Sequence, residues 1–563
     1  MVKAAKPIIA KAVRILRTSI FVQAGIAVIL VGVVLFMYLH SSPSLLMRVI
    51  PLLVIVAGAL LSAFPIIHRF MGAPRVDLDL VYALLHMRLI ASGKAPPGKV
   101  LSAAADPELY GKYSKLFGRA VALAREWGYN LSDALAYLSK GVKETSFREV
   151  VQRLSATIRL GANLEKFFET EYSTLFHEYQ FQYQRSVNNM RVLLGVYVAI
   201  MAAMVFMTSN ILLLSFFYGG SLTIVFEAIL IGVLVTIGLG LIIIMVLPKD
   251  LFEVKGRFKK YNKTLKLIDI SAIGATIAAI ALAALTIKLR GTSQTSLSIA
   301  LLVSGIPFII PGALALKLES EVQDIDVFFP VFIRSLGSFM ATVPSLKNAL
   351  SQVLRAELGK LTRLLTRFLA RLENEVPPQI AWKIFAAESG SELVRRGSRI
   401  FQDTVEYGGD LVLAGDSISS HNNTLLALRR LRGQVSSNFI SSVIIIHATV
   451  VAISIFIMGL IEYFNRVIEA IMANLEQTIT PYLFFSPINM SVVSILINIF
   501  IASLTFINAY LIVVVRPYSK RAFWLFLSIL MVVTGIAAYL SYVVVGYLIE
   551  TMAGIQIVPI PGT

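Results

Sequence analysis

The chain has 563 residues, 57% of them hydrophobic and only 15% charged, and its mean hydropathy is +0.77. Ordinary globular domains carry about 25% charged residues, so this composition excludes a soluble protein and indicates a polytopic membrane protein. The formal net charge of +18 is accounted for by the basic loops that fix membrane orientation, so it gives no reason to invoke nucleic acid; the absence of cysteine excludes disulfides, iron–sulfur clusters and thiol nucleophiles.

In chain order, a basic segment over residues 1–20, with Lys3, Lys6, Lys11, Arg14 and Arg17, leads into apolar runs long enough to cross a bilayer core of about 30 Å. Nine such runs are expected as transmembrane helices: Phe21 to Leu39, Val49 to Ile67, Val192 to Leu214, Leu222 to Leu247, Ile268 to Ile287, Leu297 to Leu316, Phe439 to Ile461, Asn489 to Val515 and Ala522 to Leu548. Between them lie a polar segment over 68–191, a basic linker over 248–267, a second polar segment over 317–438 and a segment over 462–488, with a tail over 549–563. Lysines and arginines concentrate before the first span, after the fourth and between the last two, so the N-terminus and both long polar segments are expected in the cytoplasm and the C-terminus outside. No small-residue cleavage site follows the N-terminal segment, which therefore reads as an anchor.

The long polar segments have apolar residues at three and four spacing, as in Leu361, Leu364, Leu365, Phe368, Leu369 and Leu372, with Gly and Pro confined to breaks, so each is expected to be a helical bundle. They are also alike. A displacement of 247 positions carries Gly161-Ala162-Asn163-Leu164 onto Gly408-Gly409-Asp410-Leu411 and Asp77-Leu78-Asp79-Leu80 onto Asp324-Ile325-Asp326-Val327. The fold class expected is therefore an all-α membrane protein of about nine spans carrying two cytoplasmic bundles in a parallel tandem repeat, the last span being an addition.

Within the second bundle Lys360, Arg363, Arg367 and Arg371 fall on one side of a helix whose other side is leucine-rich. Lys112, Lys115 and Arg119 repeat the stripe in the first bundle. The stripes read either as solvated faces beside anionic lipids or as docking faces for an acidic partner, whose own symmetry paired stripes would suit. Outside the membrane, Phe464, Ile468, Ile471 and Glu469 belong to an amphipathic helix expected to lie along the outer face, offering an extracytoplasmic contact or simple interfacial packing.

Catalytic signals fail. Gly93-Lys94-Ala95-Pro96-Pro97-Gly98-Lys99 has phosphate-loop spacing, but Val100 stands where a hydroxyl should hold magnesium and two prolines remove backbone donors. The six histidines have no ligand spacing, so no metal, cofactor or catalytic residue is expected. Of the intramembrane polar residues, His447, Asn498 and Asn508 suit interhelical hydrogen bonding, and Glu227 lies near the outer end of its span. A transporter or channel with large cytoplasmic domains is the alternative, and would need several such groups facing one another.

Three stretches carry a family resemblance: Asp79 through Ser92-Gly93 to Pro97, then Gly128-Tyr129-Asn130-Leu131-Ser132-Asp133-Ala134-Leu135, then Arg159-Leu160-Gly161-Ala162-Asn163-Leu164. With these Gly-x-x-Leu elements the chain resembles the integral membrane platforms of type IV filament machines, which include the type II secretion F protein, the tight-adherence C protein and the archaellum assembly membrane protein. The two repeated domains are similar to archaeal members. The second copy departs from the pattern, with Phe339-Met340 in place of Ser92-Gly93 and Val376-Pro377 near the place of Gly128. The resemblance implies a non-enzymatic scaffold on which a cytoplasmic hexameric ATPase docks, handling pilin or archaellin subunits among membrane lipids, often as a homodimer. It does not distinguish archaellum, pilus or secretion pseudopilus.

Overall fold

The computed structural model describes residues 76–217, 222–248, 250, 252, 259–291, 293–474 and 490–553. The first two expected spans, the basic segment over 1–20 and most of the tail lie outside the described residues. Those described contain no strand, and the chain is an all-α polytopic membrane protein. Among the described residues, seven helices are long and apolar enough to cross a bilayer, and they coincide with the third to ninth expected spans.

The first polar bundle opens with α1, Leu78–Ala91, whose residues are apolar around nearly the whole circumference. A helix without a polar face must be buried on all sides, and α1 is the central element of the extramembrane region. The Asp77 side chain caps its start and the Ser92 hydroxyl bonds to Leu89 O at its end. Around it lie α2 (Pro97–Ala103), α3 (Pro107–Tyr110), α4 (Lys112–Glu126), α5 (Leu131–Ser139) and α6 (Thr145–Arg159). Then α7, Leu164–Phe217, runs 54 residues, about 80 Å at 1.5 Å per residue, from the bundle through the third expected span. Helices α8 (Leu222–Val246) and α9 (Lys259–Arg290) follow.

Helix α10 (Gln294–Gly305) passes through a single 3₁₀ turn at Ile306–Phe308 into α11 (Ile309–Thr342), which leaves the membrane and becomes the first helix of the second bundle. That bundle continues with α12 (Leu346–Val353), α13 (Lys360–Glu373), α14 (Pro378–Ser389) and α15 (Glu392–Glu406). Helix α16, Leu411–Asn474, then runs 64 residues back through the membrane, and α17 (Met490–Val515) and α18 (Phe523–Ala553) complete the described fold.

Helix starts recur at the spacing read from the sequence. Leu131 and Pro378, Thr145 and Glu392, and Leu164 and Leu411 open helices 247 positions apart, and Gly111 and Gly359, both near φ +50°, precede α4 and α13.

Four edges read from hydropathy do not coincide with helix breaks. The edges near 192, 317 and 438 are not breaks, because no proline or turn sequence interrupts the helix where apolar residues give way to polar ones. The helix expected to lie separately over 462–488 is, as far as Asn474, the direct prolongation of α16, since the next proline after the span is Pro481. Residues 475–488 lie outside the described residues.

Candidate docking interface

The bundles meet along a buried polar seam. Arg396 on α15 reaches across to Asp79 at 2.7 Å and lies over the ring of Tyr82, 5.0 Å from its centroid. Its Nε donates to Glu392 at 2.7 Å, and Glu392 also accepts two hydrogen bonds from Arg395 at 2.6 and 2.8 Å. Burial alone would raise the Glu392 carboxyl; the bonds from Arg395 and the charge of Arg396 outweigh it and hold its pKa below the ordinary value. Burial likewise opposes the Arg396 charge, but Glu392 and Asp79 keep its pKa above the usual guanidinium value.

Further along the seam, His86 Nε2 sits 3.3 Å from Asp403 while the other ring nitrogen shares a 2.8 Å bond with the Tyr110 hydroxyl. Tyr82 donates to Asn422 and Tyr172 meets His421 at 3.0 Å. At its far end the backbone of Asp410 donates to the Ser92 hydroxyl, and the strands of loop press together: a Cβ on Gly93 would stand 2.6 Å from Gly408 O, and one on Gly409 2.5 Å from Leu89 O. The Ser92-Gly93 break and the Gly408-Gly409 turn thus form one backbone contact, which is the structural use of the stretch with phosphate-loop spacing. The two bundles expected as separate units share this interface.

The basic stripes divide into held and free residues. Lys112 pairs with Glu144 at 2.6 Å and Asp77 at 3.5 Å. Lys360 pairs with Asp324 at 2.6 Å, and Asp77 and Asp324 are positions the 247 displacement carries onto one another. A lysine at the first turn of a helix faces the unfavourable end of the dipole, and these carboxylates compensate it. Partial burial works against the Lys112 ammonium, yet Glu144 and Asp77 raise its pKa above the ordinary value. Arg371 donates to the buried Glu388 at 2.8 Å, and Arg367 lies 3.9 Å from the same carboxylate. Lys115, Arg119 and Arg363 are exposed and make no ion pair among the described residues. Only these three of the seven stripe residues present an uncommitted charge.

Basic residues just before a span ordinarily fix its orientation, but the group Arg429, Arg430 and Arg432 before the seventh expected span is largely structural. Arg430 is exposed, but Arg429 is buried and donates to Asp326 at 2.6 Å, with Ser391 donating to the other Asp326 oxygen. Arg432 is buried where bundle meets membrane and uses all five N–H donors: to the carbonyls of Val515, Val514 and Arg516 at the end of α17, and to Pro248 O and Asp250 beyond α8. It satisfies carbonyls that a helix end leaves without partners. Arg516 pairs with Glu319 nearby.

Inside the membrane, four helices share a polar cluster. Tyr197 donates to Asn508 Oδ1 at 2.6 Å, Asn508 Nδ2 stands 3.2 Å from His447, and His447 meets Thr534 at 2.9 Å and Thr505 at 3.4 Å. Asn498 bonds Gln294 and Ser494. Each bond joins polar groups across or along helices. At the end of the span away from the bundles, Phe464 stacks on Phe216 at 5.7 Å between ring centres, which ties α16 to α7; the side chains of Ile468, Glu469 and Ile471 lie outside the described residues.

Sequence reasoning missed the exposed apolar residues Trp127, Tyr129 and Leu160. They stand at breaks between helices, where helical periodicity carries no signal.

Residues 83–210, from α1 through most of α7, match the family model of type II secretion system protein F. The chain is also similar to flagella accessory protein J of Methanocaldococcus jannaschii, 25% identical over 79% of this chain and 80% of the relative. The protein of the same name from Methanococcus voltae is 24% identical over 74% of this chain and 75% of that one. No solved structure matches the chain significantly. The domain match and these relatives bear out the resemblance, carried by the Gly-x-x-Leu elements, to the platform family of type IV filament machines.

Proposed function

We propose that the chain is a non-enzymatic membrane platform that couples a cytoplasmic hexameric ATPase to the insertion of pilin or archaellin subunits. In this reading the tandem bundles face the cytoplasm, the N-terminus is inside and the C-terminus outside, and the protein acts as a homodimer. The observation that carries it is the continuity of α7 and α16, which run without a break from the far end of each bundle through the bilayer. A partner on the bundles thereby reaches the membrane interior through rigid elements. The relatives' name, flagella accessory protein J, favours an archaellum over a pilus or pseudopilus.

The uncommitted cations Lys115, Arg119 and Arg363 are the electrostatic contacts for the ATPase. The test is binding of the organism's secretion-type ATPase to the full chain in lipid nanodiscs. Reversing these three charges is expected to weaken binding about tenfold or more, whereas reversing Lys259 and Lys260 in the basic linker leaves it within about twofold. Equal losses from both sets would reduce the stripes to general electrostatics, and no binding by the unmodified chain would overturn the platform reading.

A further inference from the structure

We infer that the membrane-distal tip of the first bundle is an aromatic anchor for a cytoplasmic protein whose surface combines an apolar pocket with an acidic rim. The inference rests on the platform reading and deepens it, because it assigns the principal contact to one bundle and to apolar side chains.

Trp127 follows the last residue of α4, Gly128 turns the chain at φ +68°, and Tyr129 N donates back to Leu123 O, so both aromatic residues belong to one tight turn. Leu160 caps the end of α6. Arg159, beside it, pairs with Asp133 in the first turn of α5 at 2.9 Å, and Ser155 donates to Ser132 O, which brings the end of α6 to the start of α5 and hence to the same turn. Trp127, Tyr129 and Leu160 are 73%, 53% and 80% exposed.

Lipid does not cover them. Helix α7 starts at Leu164, and the 28 residues before Val192 at 1.5 Å each place this tip about 42 Å from the expected membrane span. Clustered, exposed aromatic side chains far from a bilayer are what protein interfaces use as anchors.

The occupant follows from charge. Lys115 and Arg119 stand twelve and eight positions before Trp127 on the helix that it ends, and with Arg125 they are exposed and free of ion pairs among the described residues. Glu126 adjoins them, and the balance remains cationic. An acidic rim around a pocket for Trp127 complements this surface. The second bundle has no equivalent: the positions 247 further on are Asn374, Val376 and Tyr407, and the latter two pack against the core. A partner therefore engages the bundles unequally.

The test uses the full chain in lipid nanodiscs, with the organism's hexameric secretion-type ATPase as the probe. The triple variant Trp127→Ser, Tyr129→Ser, Leu160→Ser is expected to weaken binding at least about tenfold. Its helical circular dichroism and melting should remain those of the unmodified chain, because the side chains removed are exposed. The matching variant Asn374→Ser, Val376→Ser, Tyr407→Ser is expected to bind as before whenever its melting is retained. Unchanged affinity in the first variant, with normal binding by the unmodified chain, would overturn the anchor and leave the platform reading standing. Loss of self-association in its place would reassign the tip to a second copy of the chain. If the unmodified chain fails to bind, the reading and the inference fall together.

Discussion

Replacing Arg432 by methionine keeps the aliphatic stem and removes the guanidinium that joins α16 to the ends of α17 and α8. Five acceptors then lose a donor: the carbonyls of Val514, Val515, Arg516 and Pro248, and one oxygen of Asp250. Asp250 keeps the Tyr183 hydroxyl at 2.9 Å, so it is not stranded. A buried acceptor without its donor costs about 1–3 kcal/mol, and removing one partner of a buried ion pair about 3–5 kcal/mol. Water entering at the bundle–membrane junction relieves part of the carbonyl cost, which sets the expected loss at about 4 kcal/mol, or nearly three decades in the local opening equilibrium at about 1.4 kcal/mol per decade. The assay is hydrogen–deuterium exchange of the full chain in nanodiscs, where peptides spanning the last turns of α17 should exchange at least about a hundredfold faster. Arg432→Lys should recover little, since an ammonium has three donors and cannot span the five acceptors. Arg430→Ala, at an exposed neighbour, is the control. Exchange in Arg432→Met within about threefold of that control would refute the reasoning.

Gly93→Ala forces a methyl against the Gly408 carbonyl and should destabilise the fold by about 1–3 kcal/mol, while Gly98→Ala, with open space at its Cβ, should not; paired melts of the two variants decide it. Asn508→Leu strands the Tyr197 hydroxyl and one side of His447, so it should cost about 1–2 kcal/mol, and adding Tyr197→Phe should return part of the loss. Because the folded pKa of Glu392 lies below its ordinary value of 4.5, its contribution is complete above that pH and is lost as pH falls through the lower folded value. The stability gap between wild type and Glu392→Gln should therefore be constant near pH 6 to 7 and shrink in acid; a gap that widens in acid would contradict the sign.

The sequence displays the helices and conceals their pairing. Apolar length marks the spans, and the 247 displacement predicts where helices start, because both are local properties of the chain. The stripe was legible as a spacing. Its division into held and free residues was not, since Lys112 finds Asp77 and Lys360 finds Asp324 only after folding brings together residues more than thirty positions apart. Arg429 and Arg432 looked like orientation signals because basic residues before a span ordinarily are. Helix continuity was hidden for another reason: hydropathy changes abruptly at 192, 317 and 438, but backbone geometry responds only to breakers, and none stands there.

Continuity gives α16 a mechanical character. Fastened at Arg432, it has a short arm of 21 residues back to Leu411 and a long arm of 42 residues on to Asn474, about 32 Å and 63 Å at the α-helical rise. A stiff rod with those arms is a lever of ratio two. Tilting the bundle end by 1 Å about such a fulcrum moves the opposite end by about 2 Å, the scale of the helix shifts by which packed interfaces switch between states.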